Sequence, residues 1–427
     1  MATHLGLTAV KGKLCNLPPS TRNRYRKAIR AHLGVKSYGD GGDAAVKAVV
    51  EQAALTMSDP ADLINVAVEE LARQQFELPA YRTLDVYVNH LRTQAHQQLY
   101  AQIMGRLSSE NITVLDSLLE KQEWETRYPF NRLKQLPKST SLKEIRRWEE
   151  HLSWLETLID PRPLLVAALN TKIEQFAAEA LQLETGDMMD IETAERRYTL
   201  LLCLLHYMQA RTRDQLTTMY LKRIRLAHAN AKERLRAVHD QHRELSELMV
   251  NAFAEVVHHA DATDRIEDKN QDKDALLGKQ VRQLLKNRGG AEKLKEECTL
   301  LQAYHNNNYL PLLQPSYRQH RAVPFRLTER LQIESTTQNK SVLQALEFVH
   351  EHRQAKKEHL PADISIEFAS PRWQTLIREK VDGEFMYNRY HLEMCVFSAV
   401  AEHLRSGDLY VVGSEQYADY RTQLLSW

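Results

Sequence analysis

Between positions 11 and 36 the sequence places Lys11, Lys13, Arg22, Arg24, Arg26, Lys27, Arg30 and Lys36 and not one acid. Cations without compensating carboxylates suit a polyphosphate, because each Lys or Arg brought to DNA releases condensed counterions. On a helix, Tyr25, Ile29 and Leu33 recur every four residues and are expected to face a core. That leaves Arg22, Asn23, Arg24, Arg26, Lys27 and Arg30 as candidates for phosphate or base-edge contact. The plainer alternative is a solvated basic helix. A second concentration lies between Arg211 and Glu244, where nine basic residues face four acids. Arg211, Arg213, Lys222, Arg223 and Arg225 are its candidates, and Arg318 and Arg321 belong to a third arginine-rich stretch.

Other chemistries find less support. Of the 18 histidines, His350, His352 and His359 cluster, as do His258 and His259. Neither group has the H-E-x-x-H or Cys/His spacing of a metal site, so both are expected to be solvated surface residues. The run Asp268, Asn270, Asp272, Asp274 imitates a calcium loop. Lys273 stands where the sharp-turn glycine belongs and Lys279 where a bidentate Glu is needed, so the run is expected to be a charged linker. No phosphate-cradling glycine loop, dinucleotide fingerprint or nucleophile elbow is present. The four cysteines stand far apart, which argues against a disulfide framework and for a reducing compartment.

The elements that must position the cations are overwhelmingly helical. In 427 residues, charge is abundant and aromatics, Gly and Pro are sparse, which disfavours a β-sandwich or a disordered chain. "PPSTRNRYRKAIRAHLGV" predicts a helix opened by two prolines and a Ser/Thr cap and closed at Gly34. "DPADLINVAVEEL" predicts a capped helix burying Leu63, Val66 and Leu71, and a long helix after Ala80 carries Leu84, Val88, Leu91 and Ala95 at helical spacing. Residues 219–259 run without Gly or Pro, a length that calls for packing or a dimer arm. Two helices meet at Gly289–Gly290, and "DISIEFA" and "DLYVV" carry the only clear strand alternation. The apolar run from Tyr198 is too short to cross a bilayer, and no signal peptide opens the chain, so a cytoplasmic, nucleoid-associated bacterial protein is expected. The predicted fold is mainly α, multi-module, with a few short strands near the C-terminus. Its segments are a basic DNA-binding piece (1–40), a helical module (41–125), a linker (126–140), a long-helix module for DNA binding and dimerisation (141–260), a linker (261–275) and a helical module with short strands (276–427).

The stretch "RSGDLYVVGSEQYADY", Arg405 to Tyr420, closely resembles a motif that precedes the catalytic domain of Tn3-family transposases. "YHNNNYLPL", "STTQ", "FASPRW" and the early "STRNRYRKAIRAHLGVKSY" resemble further family segments in the same order, so the likeness covers roughly residues 17–427. The resemblance implies helical modules that bind double-stranded DNA at the terminal inverted repeats, homodimerisation, and strand transfer by a magnesium-dependent DDE domain. That domain is expected to follow Trp427, so no catalytic residue, metal or cofactor is carried over to this chain, which is expected to be inactive alone. The leading expectation is thus the DNA-recognition and dimerisation part of a transposase. Alternatives are a non-catalytic repressor of transposition and a helical protein-binding scaffold. Arg318, Arg321 and Arg326 then serve either DNA or docking to the catalytic domain.

Overall fold

The computed structural model describes residues 18–57, 59–121, 127–266 and 272–424. Lys11, Lys13, Cys15 and Trp427, and Asp268 and Asn270 of the calcium-like run, lie outside the described residues. Pro18 and Pro19 preset the backbone for helix α1 (Pro19–Leu33), which Gly34 closes in the left-handed conformation at φ 66°. The expected Ser/Thr cap is not used. Pro18 holds the cap position and no side chain bonds there, because a proline ring offers no acceptor to the first amides of the helix. Nor does α1 face a core: Tyr25, Ile29 and Leu33 are 50%, 57% and 53% exposed, and no residue of the helix is buried.

The chain forms two compact units, Met1–Gln135 with Leu158–Met208, and Leu136–Thr157 with Gln209–Trp427. In the first unit, α2 (Gly42–Ala53), α3 (Pro60–Arg73) and α4 (Tyr81–Met104) enclose Val46, Val50, Leu63, Leu71, Leu84, Val88 and Leu91. Asp59 caps α3 by accepting from the Ala61 N–H at 2.8 Å, as its position before Pro60 predicts. Val66 and Ala95 end up half-buried. Then come α5 (Ser109–Ser117), α6 (Pro129–Leu133), α7 (Leu142–Leu158), α8 (Asn170–Gln182) and α9 (Thr185–Met189). Phe130 and Leu133 of α6 are fully buried, so this part of the 126–140 stretch is packed structure.

Helix α10 (Ala194–Asp264) is 71 residues long and takes in both the apolar run and the predicted helix at 219–259. Leu200 to Leu205 are buried on every side, which a helix that is apolar all round requires. No helix among the described residues is long and apolar enough to cross a membrane.

In the second unit α11 (Lys273–Asn287) and α12 (Ala291–His305) meet at Gly289–Gly290 as expected, followed by α13 (Leu313–His320) and α14 (Ala322–Arg330). Strand β1 (Ile333–Ser335), α15 (Ser341–Glu351), β2 (His359–Pro361), α16 (Pro371–Ile377), β3 (Arg378–Val381), β4 (Glu384–Asn388), α17 (Arg389–Ser406), β5 (Leu409–Val411) and α18 (Tyr420–Leu424) complete the chain. Among the described residues the fold is therefore mainly helical, with short strands only toward the C-terminus. Helix α17 runs through the core, burying Leu392, Met394, Cys395, Val396, Phe397, Val400 and Leu404.

"DLYVV" forms β5, antiparallel to β1 with Glu334 opposite Tyr410. "DISIEFA" is not a strand. Its burial alternates as predicted, but it lies in no ladder, and the Ile364 carbonyl instead accepts from the Tyr387 hydroxyl at 2.8 Å. Strands β3 and β4 form a hairpin through Asp382 (φ 51°) and Gly383 (φ 92°), the two-residue turn that favours Asp-Gly.

Candidate nucleic-acid interface

Helix α1 carries cations on most of its surface, and its attachment to the first unit is narrow. Glu77 forms ion pairs with Arg26 at 3.1 Å and with Arg30 at 2.8 Å. Just beyond the helix, Lys36 exchanges backbone hydrogen bonds with Gln75 and Glu77 at 2.7 and 2.8 Å. Arg22, Asn23, Arg24 and Lys27 are exposed, and Arg24 lies over the Tyr25 ring at 5.8 Å. Arg30 is half-buried in its contact with Glu77. The helix thus presents guanidinium and ammonium groups to solvent, with one acid holding one flank.

The cations of α10 divide by environment. Lys222 and Arg225 are exposed, while Arg223 donates to the Thr140 carbonyl at 3.3 Å. Arg213 binds Glu156 at 2.7 Å, and its guanidinium leaves Gly413 only 3.2 Å of room for a Cβ. Arg211 is half-buried beside Asp214. Of the third group, Arg318 stays exposed, 3.4 Å from Glu358 and over the Tyr390 ring. Arg321 is committed inward: it chelates Glu393 at 2.7 and 2.6 Å and donates to the Arg353 carbonyl. Arg326 likewise grips Glu149, at 2.6 Å.

Glu393, only 1% exposed, also accepts from the Tyr317 hydroxyl at 2.8 Å. Burial first, and the Glu393 carboxylate second, push that phenol's pKa well up. A buried carboxylate needs such partners, since an unpaired one is strongly destabilising.

The C-terminal motif is built around residues that composition did not single out. Asp214, 7% exposed on α10, accepts from the Ser414 hydroxyl, from the Glu415 N–H at 3.1 Å and from the Gln416 N–H at 3.2 Å. Burial raises its pKa, against the opposing pull of the Ser414 bond, the two amides and Arg211. Ser414 in turn accepts from the Tyr417 N–H at 2.9 Å, and the Tyr417 hydroxyl meets Thr218 at 3.1 Å. Gly413 turns the chain at φ 74°. Thr336 of "STTQ" donates to the carbonyls of Gly407 and Asp408 at 2.9 and 3.0 Å, so two of the quoted segments meet directly. Tyr309 of "YHNNNYLPL" and Ser398 both contact the His228 ring, at 3.3 and 2.8 Å. Burial, with Lys232 and Arg405 nearby, pushes His228 down to about 4.

The clustered histidines are not all surface residues. His350 is half-buried and bonded to Thr328 at 2.9 Å, His352 packs on Phe348, and His359 pairs with Glu379, because each sits where neighbouring elements close over it. Among the described residues no group of three or more His, Cys, Asp or Glu side chains could hold a metal ion.

Residues 1–91 match a family model described as a domain of unknown function, DUF4158. That match begins ahead of residue 17, where the motif likeness starts. The chain is 24% identical over 381 residues to the transposase for transposon Tn1546 of Enterococcus faecium, covering 88% of this chain and 37% of that protein. It is 23% identical to the transposase for Tn21 of Escherichia coli (95% and 38%) and 21% identical to that for Tn501 of Pseudomonas aeruginosa (95% and 40%). The chain thus spans about two-fifths of the length of these curated relatives.

Proposed function

We propose that this chain, homologous over nearly its whole length to Tn3-family transposases, supplies DNA recognition in transposition. In this reading α1 binds double-stranded DNA at the terminal inverted repeats, with Arg22, Arg24 and Lys27 as phosphate or base contacts. Lys222 and Arg225 extend the cationic surface. The observation that carries it is an acid-free basic helix with no buried residue, tied down by one carboxylate. Arg213 and Arg321 act as internal ties instead, through Glu156 and Glu393. The chain works in the bacterial cytoplasm at the nucleoid, and strand transfer is not assigned to the described residues.

Homodimerisation is the second part of the proposal. Val250, Phe253 and Val257 of α10 are 67%, 71% and 50% exposed, at the spacing of a coiled-coil seam. Light scattering of the wild-type chain and of Phe253→Asp tests it: a dimer that the variant converts to monomer supports pairing there, and a wild-type monomer refutes it.

DNA binding is tested by fluorescence anisotropy with a duplex carrying an inverted repeat and with a scrambled duplex. Preference for the repeat, lost in Arg24→Ala/Lys27→Ala, supports the reading. Equal binding of both duplexes, unchanged by those substitutions, overturns it.

A further inference from the structure

Helix α1 keeps an apolar row in water although nothing in its amphipathic spacing requires that. Tyr25, Ile29 and Leu33 stand at i, i+4 and i+8 and therefore share one face. At 3.6 residues per turn, the row beside them on one side is Arg22, Arg26 and Arg30. The row on the other side is Arg24, Ala28 and His32. A strip of exposed hydrocarbon thus has three arginines along one flank and Arg24 on the other, with no acid anywhere on the helix. Glu77, gripping Arg26 and Arg30, fixes the rotation of the helix and leaves the apolar row uncovered.

That charge pattern is complementary to a duplex groove. Both walls of a groove are phosphate, and its floor is base edges. In the major groove the apolar feature of that floor is the thymine C5-methyl. We propose that Tyr25, Ile29 and Leu33 read thymine methyl groups in the major groove, while Arg22 and Arg24 hold the phosphates on either side. The proposal rests on the DNA-binding reading and adds what the helix discriminates. Solvent alone gives three adjacent apolar side chains no reason to be there, and simple phosphate binding does not use them.

The experiment uses the full chain and the duplex it enriches from a random-sequence pool, synthesised once with thymine and once with uracil. Uracil lacks only the methyl. Burying one such group corresponds to roughly a fourfold change in affinity, the equivalent of about 0.8 kcal/mol. The wild-type chain is expected to bind the uracil duplex more weakly by about that factor for each methyl read. Ile29→Ala/Leu33→Ala, which leaves only Tyr25 of the row, is expected to lose the larger part of the thymine preference, with unchanged thermal stability, since neither residue is buried and alanine favours helix. Equal wild-type affinity for the two duplexes, with Arg24→Ala still weakening both, overturns methyl reading and leaves DNA binding standing. Loss of stability in the double variant with the thymine preference intact shows the row packing within the chain and also overturns it. If no duplex is enriched and Arg24→Ala changes nothing, DNA binding itself fails and this inference falls with it.

Discussion

Replacing Asp214 with alanine tests how the C-terminal motif is held. The carboxylate accepts from the Ser414 hydroxyl and from the Glu415 and Gln416 amides, and it is 7% exposed. Each hydrogen bond to a charged group contributes about 1.5–3 kcal/mol, and loss of a capping side chain costs about 0.5–2 kcal/mol. Against this stands the desolvation of the carboxylate, whose pKa burial raises. The net expectation for Asp214→Ala is a local loss of about 2–4 kcal/mol. Asp214→Asn keeps an acceptor oxygen without the buried charge and is expected to cost about 1 kcal/mol or less. The assay is amide hydrogen exchange at Glu415, Gln416 and Tyr417. Alanine should accelerate exchange there by roughly thirty- to a thousandfold, since each 1.4 kcal/mol is a factor of ten. Exchange in α3, in the other unit, serves as the unaffected control. Acceleration below about threefold in Asp214→Ala, under 1 kcal/mol, would refute the idea that this side chain holds the turn.

Three further outcomes follow from the same geometry. His228, pushed down to about 4 by burial, is neutral in the fold and charges more readily when unfolded, near 6.5. Its contribution is therefore present above pH 6.5 and lost as pH falls toward 4, and melting curves of His228→Gln should be flatter than wild type across that window. Glu77→Gln should speed amide exchange in α1 at a cost below about 1 kcal/mol, because these ion pairs are solvent-screened, and should raise duplex affinity by freeing Arg26 and Arg30. Weaker DNA binding in that variant would count against the role given to those arginines. Arg321→Met leaves Glu393 buried without its main partner and should destabilise the second unit by about 3–5 kcal/mol, read by urea denaturation, while the salt dependence of DNA binding stays unchanged.

Helices were legible where local signals agree with packing. Gly34, Asp59 and Gly289–Gly290 mark ends that the structure keeps, and DLYVV pairs as its alternation predicts. The failures show that periodicity alone names neither the partner nor the core. DISIEFA alternates in burial without a neighbouring strand, whereas Tyr25, Ile29 and Leu33 have helical spacing without a core. The Asp382-Gly383 pair is a local hairpin signal, and the structure closes β3 onto β4 there. Arginines posed a different problem. Arg24 and Arg321 look alike in sequence, and only the buried Glu393 folded against Arg321 tells the internal tie from the exposed cation. Glu393 lies 72 residues from Arg321, and Asp214 lies 200 from Ser414, distances at which no local pattern survives.

The most direct measurement is the salt dependence of duplex binding by the wild-type chain and by Arg22→Ala/Arg24→Ala/Lys27→Ala. The account predicts tighter binding of inverted-repeat DNA than of scrambled DNA, with a slope of log affinity against log salt that becomes shallower by about one for each cation removed. An unchanged slope and affinity in the triple variant would contradict it.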